Sequence, residues 1–440
     1  MSRIKETLLL NVIFPMADFF MGTKAMKWYR QINKMEKWSA EEIKAWQLQN
    51  LKNLIHHAYN HTVYYREVFD KLNLKPEDIQ EFDDLKKLPI LTKDIIRARF
   101  DDFTPNNIGK IKHRHGSTGG STGEPFKYIL DENTWGFTTA VKIYSWKKTG
   151  YRYGDLFLSL GSSSLFPTNK KSIIHEIYYR LKNTIPLNGM NMDNDTCEHY
   201  IGIIKKYKIK YVYGYASAVY LLALYSKKMG YNLQMKGVFT TSEKLTVEYR
   251  QAIESAWKVR VMDCYGARDG GVTAYEIETG YFNVGYNTYC ETKDLNNSSE
   301  LFCTNLIDFA FPLVRYAIKD EVALASKTER YNHNGQVFSK IIGRTSDVIE
   351  LKNGHKLTTS GFNSMFRNFN LKAFRINKDN ENTLKIEIQQ NANYLLSEEE
   401  LIICTMKKHA GEDIDIVIEY VDGFQPLKNG KRSFFMNEVE

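Results

Sequence analysis

Residues 116–128 read GSTGGSTGEPFKY, Gly116 to Tyr128. Four glycines (Gly116, Gly119, Gly120, Gly123) alternate with Ser117, Thr118, Ser121 and Thr122, between two stretches that read as strands. Glycine lets successive backbone N–H groups close around phosphate oxygens, and small hydroxyls add donors without bulk. The stretch lacks the Gly-Lys-Ser/Thr ending that gives a P-loop kinase its lysine and its magnesium hydroxyl. Taken alone it reads equally as a phosphate cradle or as a polar surface loop, so the chain on either side decides.

From about 110 to 342, apolar stretches (LFLSLG, KYVYGY, GVFTTS, VRVMDCYG) alternate with helical patterns (SAVYLLALYSKKMG, TVEYRQAIESAW). That alternation predicts an α/β domain with mainly parallel sheets. Upstream, Ser39 and Glu42 form a capping-box pattern ahead of Ile43, Trp46, Leu51, Leu54 and Ile55, and Thr92 is a candidate cap in LKKLPILTKDIIRARF. Residues 1–100 therefore read as a helical entry region. The last hundred residues change character: VIELKNGHKLT has an Asn353-Gly354 hairpin turn, and FRINKDNENTLKIEIQQ repeats the strand-turn-strand pattern. A helix from Ser397, with Glu400 at the capping-box position, and the strand IDIVIEYV complete a small α+β domain. The expected division is a large domain over 1–343 and a small mobile one over 344–440.

The 440 residues, 43% hydrophobic and 25% charged, suit a globular chain of more than one core. The net charge of +8 is spread along the sequence without a basic arm, which argues against nucleic acid and leaves acidic small ligands or a membrane surface as partners. Five cysteines without a CxxC pair imply reduced thiols, no structural zinc and a cytoplasmic location. The apolar run Leu8 to Met21 is broken by Asn11, Pro15 and Asp18 and is too short for a span. It reads as a helix packed on the main domain or as an interfacial helix giving peripheral membrane contact.

STGGSTGEP resembles the phosphate loop of the adenylate-forming superfamily, in the branch of phenylacetate–coenzyme A ligases and CapK-type capsular polysaccharide proteins. Further blocks follow in that family's order. YYREVFDKLNLKPEDIQEFDDLKKLPILTKDII resembles its N-terminal segment, TTSEKL (240–245) its adenine-pocket segment and DCYGARDGG (263–271) its aromatic-Gly motif. PLVRYAIKDEV (312–322), IIGRTSDVIE (341–350) and QPLKNGKRSFF (425–435) resemble the ribose-binding strand, the interdomain hinge and the C-terminal lysine motif.

The resemblance implies a ligase that uses ATP and Mg2+ to join a carboxylic acid to AMP with release of pyrophosphate. The acyl group then passes to a thiol, amine or hydroxyl acceptor. By this resemblance Ser117, Thr118, Gly119, Gly120, Ser121, Thr122 and Gly123 hold phosphates, and Ser242, Glu243, Tyr265 and Gly266 bind adenine. Asp320 holds the ribose, Arg344 reaches ribose or phosphate, and Lys431 bridges carboxylate and α-phosphate. Asp269, where relatives carry glutamate, and Thr122 would meet the metal, and Ser346 would be the hinge. Tyr213, Gly214, Tyr215 and Ala216 are candidates for the acyl pocket, with ordinary strand–helix packing as the competing reading. A surface-polysaccharide role with a sugar acceptor is the leading expectation. A coenzyme A ligase, or a nucleotide-binding scaffold that has lost the chemistry, as Asp269 and Glu124 would allow, are the alternatives. A carboxylate is already ionised at neutral pH, so the reaction needs converging cations and N–H donors rather than a general base.

Overall fold

The computed structural model describes residues 7–118, 126–161, 183–190, 192–295, 298–325, 333–342, 348–351, 356–358, 366, 369–380, 383–422 and 435–437. They fall into two compact units: Met1–Ser117, Phe126–Gly154 and Met262–Gly343 form the first, and Thr118–Pro125, Asp155–Val261 and Arg344–Glu440 the second.

The chain enters through helices α1 (Phe14–Met21, after a π-turn over Leu9–Ile13), α2 (Ala25–Met35), α3 (Ala40–His61), α4 (Val63–Lys71) and α5 (Lys93–Ala98). The expected capping box opens α3: Glu42 N–H donates to Ser39 Oγ (3.2 Å) and Ser39 N–H to Glu42 Oε2 (2.7 Å). Thr92 caps α5 through Ile95 N–H. Strands β1 (His113–Thr118) and β2 (Phe126–Asp131) pair with each other and hold the two ends of 119–125, and α6 (Glu132–Lys147) follows.

Next come β3 (Phe157–Gly161), β4 (Thr184–Asn188), α7 (Asn194–Tyr207), β5 (Tyr211–Tyr215), α8 (Ala216–Lys228), β6 (Gly237–Thr241) and α9 (Val247–Trp257). In the second unit the strands run β4-β3-β5-β6, all parallel, over a core that includes Leu158, Val212, Leu222, Val238 and Trp257. Helix α8 supplies the crossover that the parallel pair β5–β6 requires.

From β7 (Val261–Ala267) the pattern changes through β8 (Val272–Glu278), β9 (Tyr281–Val284), β10 (Thr288–Leu295), β11 (Ser298–Asn305), β12 (Tyr316–Leu324) and β13 (Val337–Ile342). In the first unit these strands pair antiparallel in the order β10-β11-β12-β13-β9-β8-β7. The α/β class holds with mixed pairing: β3–β6 pair parallel in the second unit, and the strands after β7 pair antiparallel in the first. The reason is local: several of the later strands are joined by hairpins of a few residues, as at Thr279-Gly280 between β8 and β9, too short for a crossover.

In the C-terminal residues, β14 (Val348–Glu350) and β15 (Lys356–Thr358) form the expected antiparallel pair, with the Asn353-Gly354 turn outside the described residues. Strands β16 (Leu371–Asn380) and β17 (Thr383–Gln390), helix α10 (Leu396–Ala410), β18 (Asp415–Tyr420) and β19 (Phe435–Asn437) make a sheet of order β18-β17-β16-β19. Its core includes Ile376, Leu384, Ile386, Ile388, Ile402 and Met406. Helix α10 starts one residue before Ser397 and has no side-chain cap, because Glu398 instead accepts from Asn370 N–H (2.8 Å) and ties the helix start to the strand ahead of it.

Candidate nucleotide-binding site

Asp320 lies on β12, the strand that runs out of PLVRYAIKDEV. Opposite it on β11 the register jumps from Phe302↔Ala317 to Glu300↔Glu321, so β12 carries extra residues there, and Lys319 takes φ +68°. A bulge of this kind re-aims a side chain at the cost of a left-handed lysine. The side chain so turned meets Tyr265 of β7, whose hydroxyl donates to Asp320 Oδ2 at 2.7 Å. Burial, then the Asp320 carboxylate, holds the Tyr265 hydroxyl well above its ordinary pKa, so it stays a neutral donor. Tyr265, expected at adenine, and Asp320, expected at ribose, are thus brought together. Gly266, next to Tyr265, has room where a Cβ would point, in ordinary van der Waals contact with Val272 O at 3.7 Å.

Asp269 is 6% exposed. Tyr316 donates its hydroxyl to Asp269 Oδ2 (2.7 Å), and Lys93 Nζ lies 3.2 Å from the same oxygen. The chain delivers Lys93 by pairing Leu91 with β12: Leu91 N–H donates to Arg315 O and Ala317 N–H to Leu91 O, and Thr92 then caps α5. Phe126, the first residue of β2 after 119–125, completes the group, with Lys93 Nζ 5.5 Å from its ring centroid and the Tyr316 ring stacked on it at 5.7 Å. Burial, then Asp269, raises the Tyr316 hydroxyl's pKa, which keeps it protonated.

On Asp269, Oδ2 is held by a hydroxyl and an ammonium, so a magnesium ion would meet the carboxylate through Oδ1, beside the Lys93 charge. Among the described residues no three His, Cys, Asp or Glu side chains gather as metal ligands.

Lys93 and Tyr316 went unread in the sequence. One signal was available: a lysine directly after an N-cap sits at the positive end of a helix, where a cation is disfavoured, and such local conflicts mark function.

In the second unit, Ser242 follows β6 with φ +69°, a strained position for a residue with a side chain. Glu243 is buried, and its Oε2 accepts from Ser217 N–H (2.8 Å) in the first turn of α8, where the helix dipole favours an anion. Tyr213, Gly214, Tyr215 and Ala216 are all buried at the β5–α8 junction, and Tyr215 belongs to the core with Leu158 and Val219. A Cβ on Gly214 would lie 2.4 Å from Leu160 O, so this glycine serves the approach of β5 to β3. For Gly214 this contact is strand-on-strand packing.

Ser117 lies on β1 and Thr118 at its end. Gly119, Gly120, Ser121, Thr122, Gly123, Glu124, Arg344, Ser346 and Lys431 lie outside the described residues.

A family model for the CapK C-terminal domain matches residues 349–438. Two curated phenylacetate–coenzyme A ligases align with the chain: that of Aromatoleum evansii at 26% identity, over 82% of this chain and 84% of its own length, and that of Escherichia coli (strain K12) at 23%, over 91% and 96%. This chain is a distant relative of the phenylacetate–coenzyme A ligases. Its fold is that of the adenylate-forming ligases: 2-hydroxyisobutyryl-CoA ligase, in the postadenylation state with R3-HIB-AMP, superposes with a TM-score of 0.58 at 15% identity, covering 92% of each chain. The same enzyme with 2-HIB-AMP and CoA, in the thioesterification state, superposes with a TM-score of 0.56. The ligase homologue thus carries the α/β architecture that the ordered motifs implied.

Proposed function

We propose that the chain activates a carboxylic acid with ATP and transfers the acyl group to the thiol of coenzyme A. A carboxylate oxygen attacks the α-phosphorus, the bond to the β-phosphate oxygen breaks, and pyrophosphate leaves. The coenzyme A sulfur then attacks the acyl carbon, and AMP leaves with the C–O bond electrons. The observation that carries this reading is the Tyr265–Asp320 pair, held at 2.7 Å by a bulged strand within a fold shared with adenylate-bound ligases. In this reading Asp320 accepts from the ribose hydroxyls, Tyr265 packs on adenine, and 117–123 supply N–H donors to the phosphates. Lys93 contributes a fixed cation beside Asp269, and no step is assigned to magnesium.

The coenzyme A acceptor replaces the sugar acceptor as the leading reading, because the aligned relatives are named as coenzyme A ligases over most of their length. We assign 344–440 to a domain that turns about Ser346 after adenylation, with Arg344 and Lys431 serving the first half-reaction. Five cysteines without a paired spacing, and substrates such as ATP and coenzyme A, fit a cytoplasmic location.

A panel of aliphatic and aromatic acids, with hydroxylamine as the trap, should give acid-dependent pyrophosphate release and, without the trap, loss of free thiol when coenzyme A is added. Release with thiol unchanged and an amino sugar acylated would restore the glycan reading. Nucleotide binding without release for any acid would make the chain a scaffold.

A further inference from the structure

The first described helix leaves an apolar face uncovered. Residues 7–21 run as one helical segment. Leu8, Val12, Met16, Phe19 and Phe20 recur at three- and four-residue spacing, and Phe19 and Phe20 are 75% and 67% exposed. The other face is fixed to the first unit. Leu9 and Phe14 are buried, with the Phe14 ring 4.1 Å from that of Tyr153. Asp18, the one acid in the run, turns inward, where Oδ2 accepts from Met26 N–H and Oδ1 from Thr23 Oγ1, each at 2.6 Å. The outward face therefore carries no negative charge of its own.

Beside it runs a basic stripe. On α2, Lys27, Arg30 and Lys34 are exposed at i, i+3 and i+7, and Arg30 donates to Leu10 O at 3.2 Å, which fixes the stripe against the apolar helix. A second copy docking through this face would bring two such stripes together in like-charge contact, whereas anionic lipid headgroups neutralise them. The helix cannot cross a bilayer: at about 1.5 Å per residue it is several ångströms short of a hydrocarbon core of about 30 Å. No helix among the described residues is long and apolar enough to span.

We propose that residues 7–21 lie in the headgroup region of an anionic membrane, with Phe19 and Phe20 inserted and Lys27, Arg30 and Lys34 against lipid phosphates. The full chain should co-sediment with phosphatidylcholine vesicles containing phosphatidylglycerol, should not co-sediment with phosphatidylcholine alone, and should dissociate as salt is raised. The double variant Phe19→Glu/Phe20→Glu should lose about tenfold or more of vesicle binding, and Lys27→Glu/Lys34→Glu should lose it in the anionic vesicles. Adenylation activity in the absence of vesicles should stay as in the wild type for both variants. Should the glutamate pair melt early, Phe19→Ser/Phe20→Ser serves in its place. Wild-type protein that stays in the supernatant overturns the proposal, as does binding that survives loss of both phenylalanines. Dimerisation in gel filtration that depends on Phe19 and Phe20, without vesicle binding, also overturns it and makes the face a contact between copies.

Discussion

At the scale of single residues, the contact that changes the chemistry most is the one between Asp269 and Lys93. Both are largely buried, so removing either partner leaves a charge with poor solvation. Lys93→Met should cost about 3–5 kcal/mol of stability, the range for breaking a buried pair, and a denaturant titration measures it. The functional counterpart is Asp269→Asn. With Asp269 as an anchor for Lys93, the variant should lose activity while the magnesium concentration at half-maximal pyrophosphate release stays as in the wild type. A many-fold rise in that concentration would return Asp269 to the metal.

His333 gives a pH signature. It is stacked on Tyr286 at 4.9 Å, and burial pushes its pKa down to about 4. In the unfolded chain it titrates near 6.5, so the unfolded state binds the extra proton and the stability from neutral His333 is complete above about pH 6.5. It is lost as pH falls from there towards 4. His57, lowered by burial as well, acts with the same sign. The melting temperature should fall over this window, and His333→Asn should make the slope shallower; an unchanged slope would assign the acid sensitivity elsewhere. The sequence displayed Asp269, Tyr265 and Asp320 because each sits in a short motif. Lys93 acts across 176 positions of chain, and no local pattern encodes that distance.

At the scale of elements, backbone geometry explains what periodicity missed. Strand and helix alternation was legible through β3–β6, where apolar strands of five residues alternate with amphipathic helices. Past β7 the strands are still apolar, and only turn chemistry distinguishes hairpin from crossover. Gly271, with φ +66°, makes one such turn after β7. A Cβ there would lie 2.1 Å from Asn305 Nδ2, an amide already donating to Thr134 Oγ1 at 3.0 Å. Gly271→Ala should therefore destabilise by about 1–3 kcal/mol, seen as a lower melting temperature. Gly202, inside α7 with nothing near its missing Cβ, is the control: Gly202→Ala should stabilise by up to about 1 kcal/mol. A matching loss at both positions would contradict the geometry of the turn. The bulge at Lys319 was likewise invisible in PLVRYAIKDEV, since a lysine gives no hint of positive φ.

At the scale of the whole molecule, the ordered motifs implied an adenylate-forming ligase over nearly all of the sequence, and the fold, the CapK C-terminal domain match and the aligned ligases agree with that family. What the motifs could not convey is the acid and the acceptor, since both are set by pocket shape and not by the residues that handle ATP. The expected turn about Ser346 belongs to this scale too: Ser346→Pro should slow acyl transfer to coenzyme A more than it slows pyrophosphate release. The most direct measurement is mass spectrometry of the enzyme's products in a single turnover with ATP and a responsive acid, coenzyme A being omitted. An acyl-AMP in amounts stoichiometric with pyrophosphate, formed by the wild type and reduced at least about a hundredfold in Lys431→Ala, is the predicted result. ADP and phosphate in place of acyl-AMP and pyrophosphate, or an acyl-AMP yield unchanged in Lys431→Ala, would contradict it.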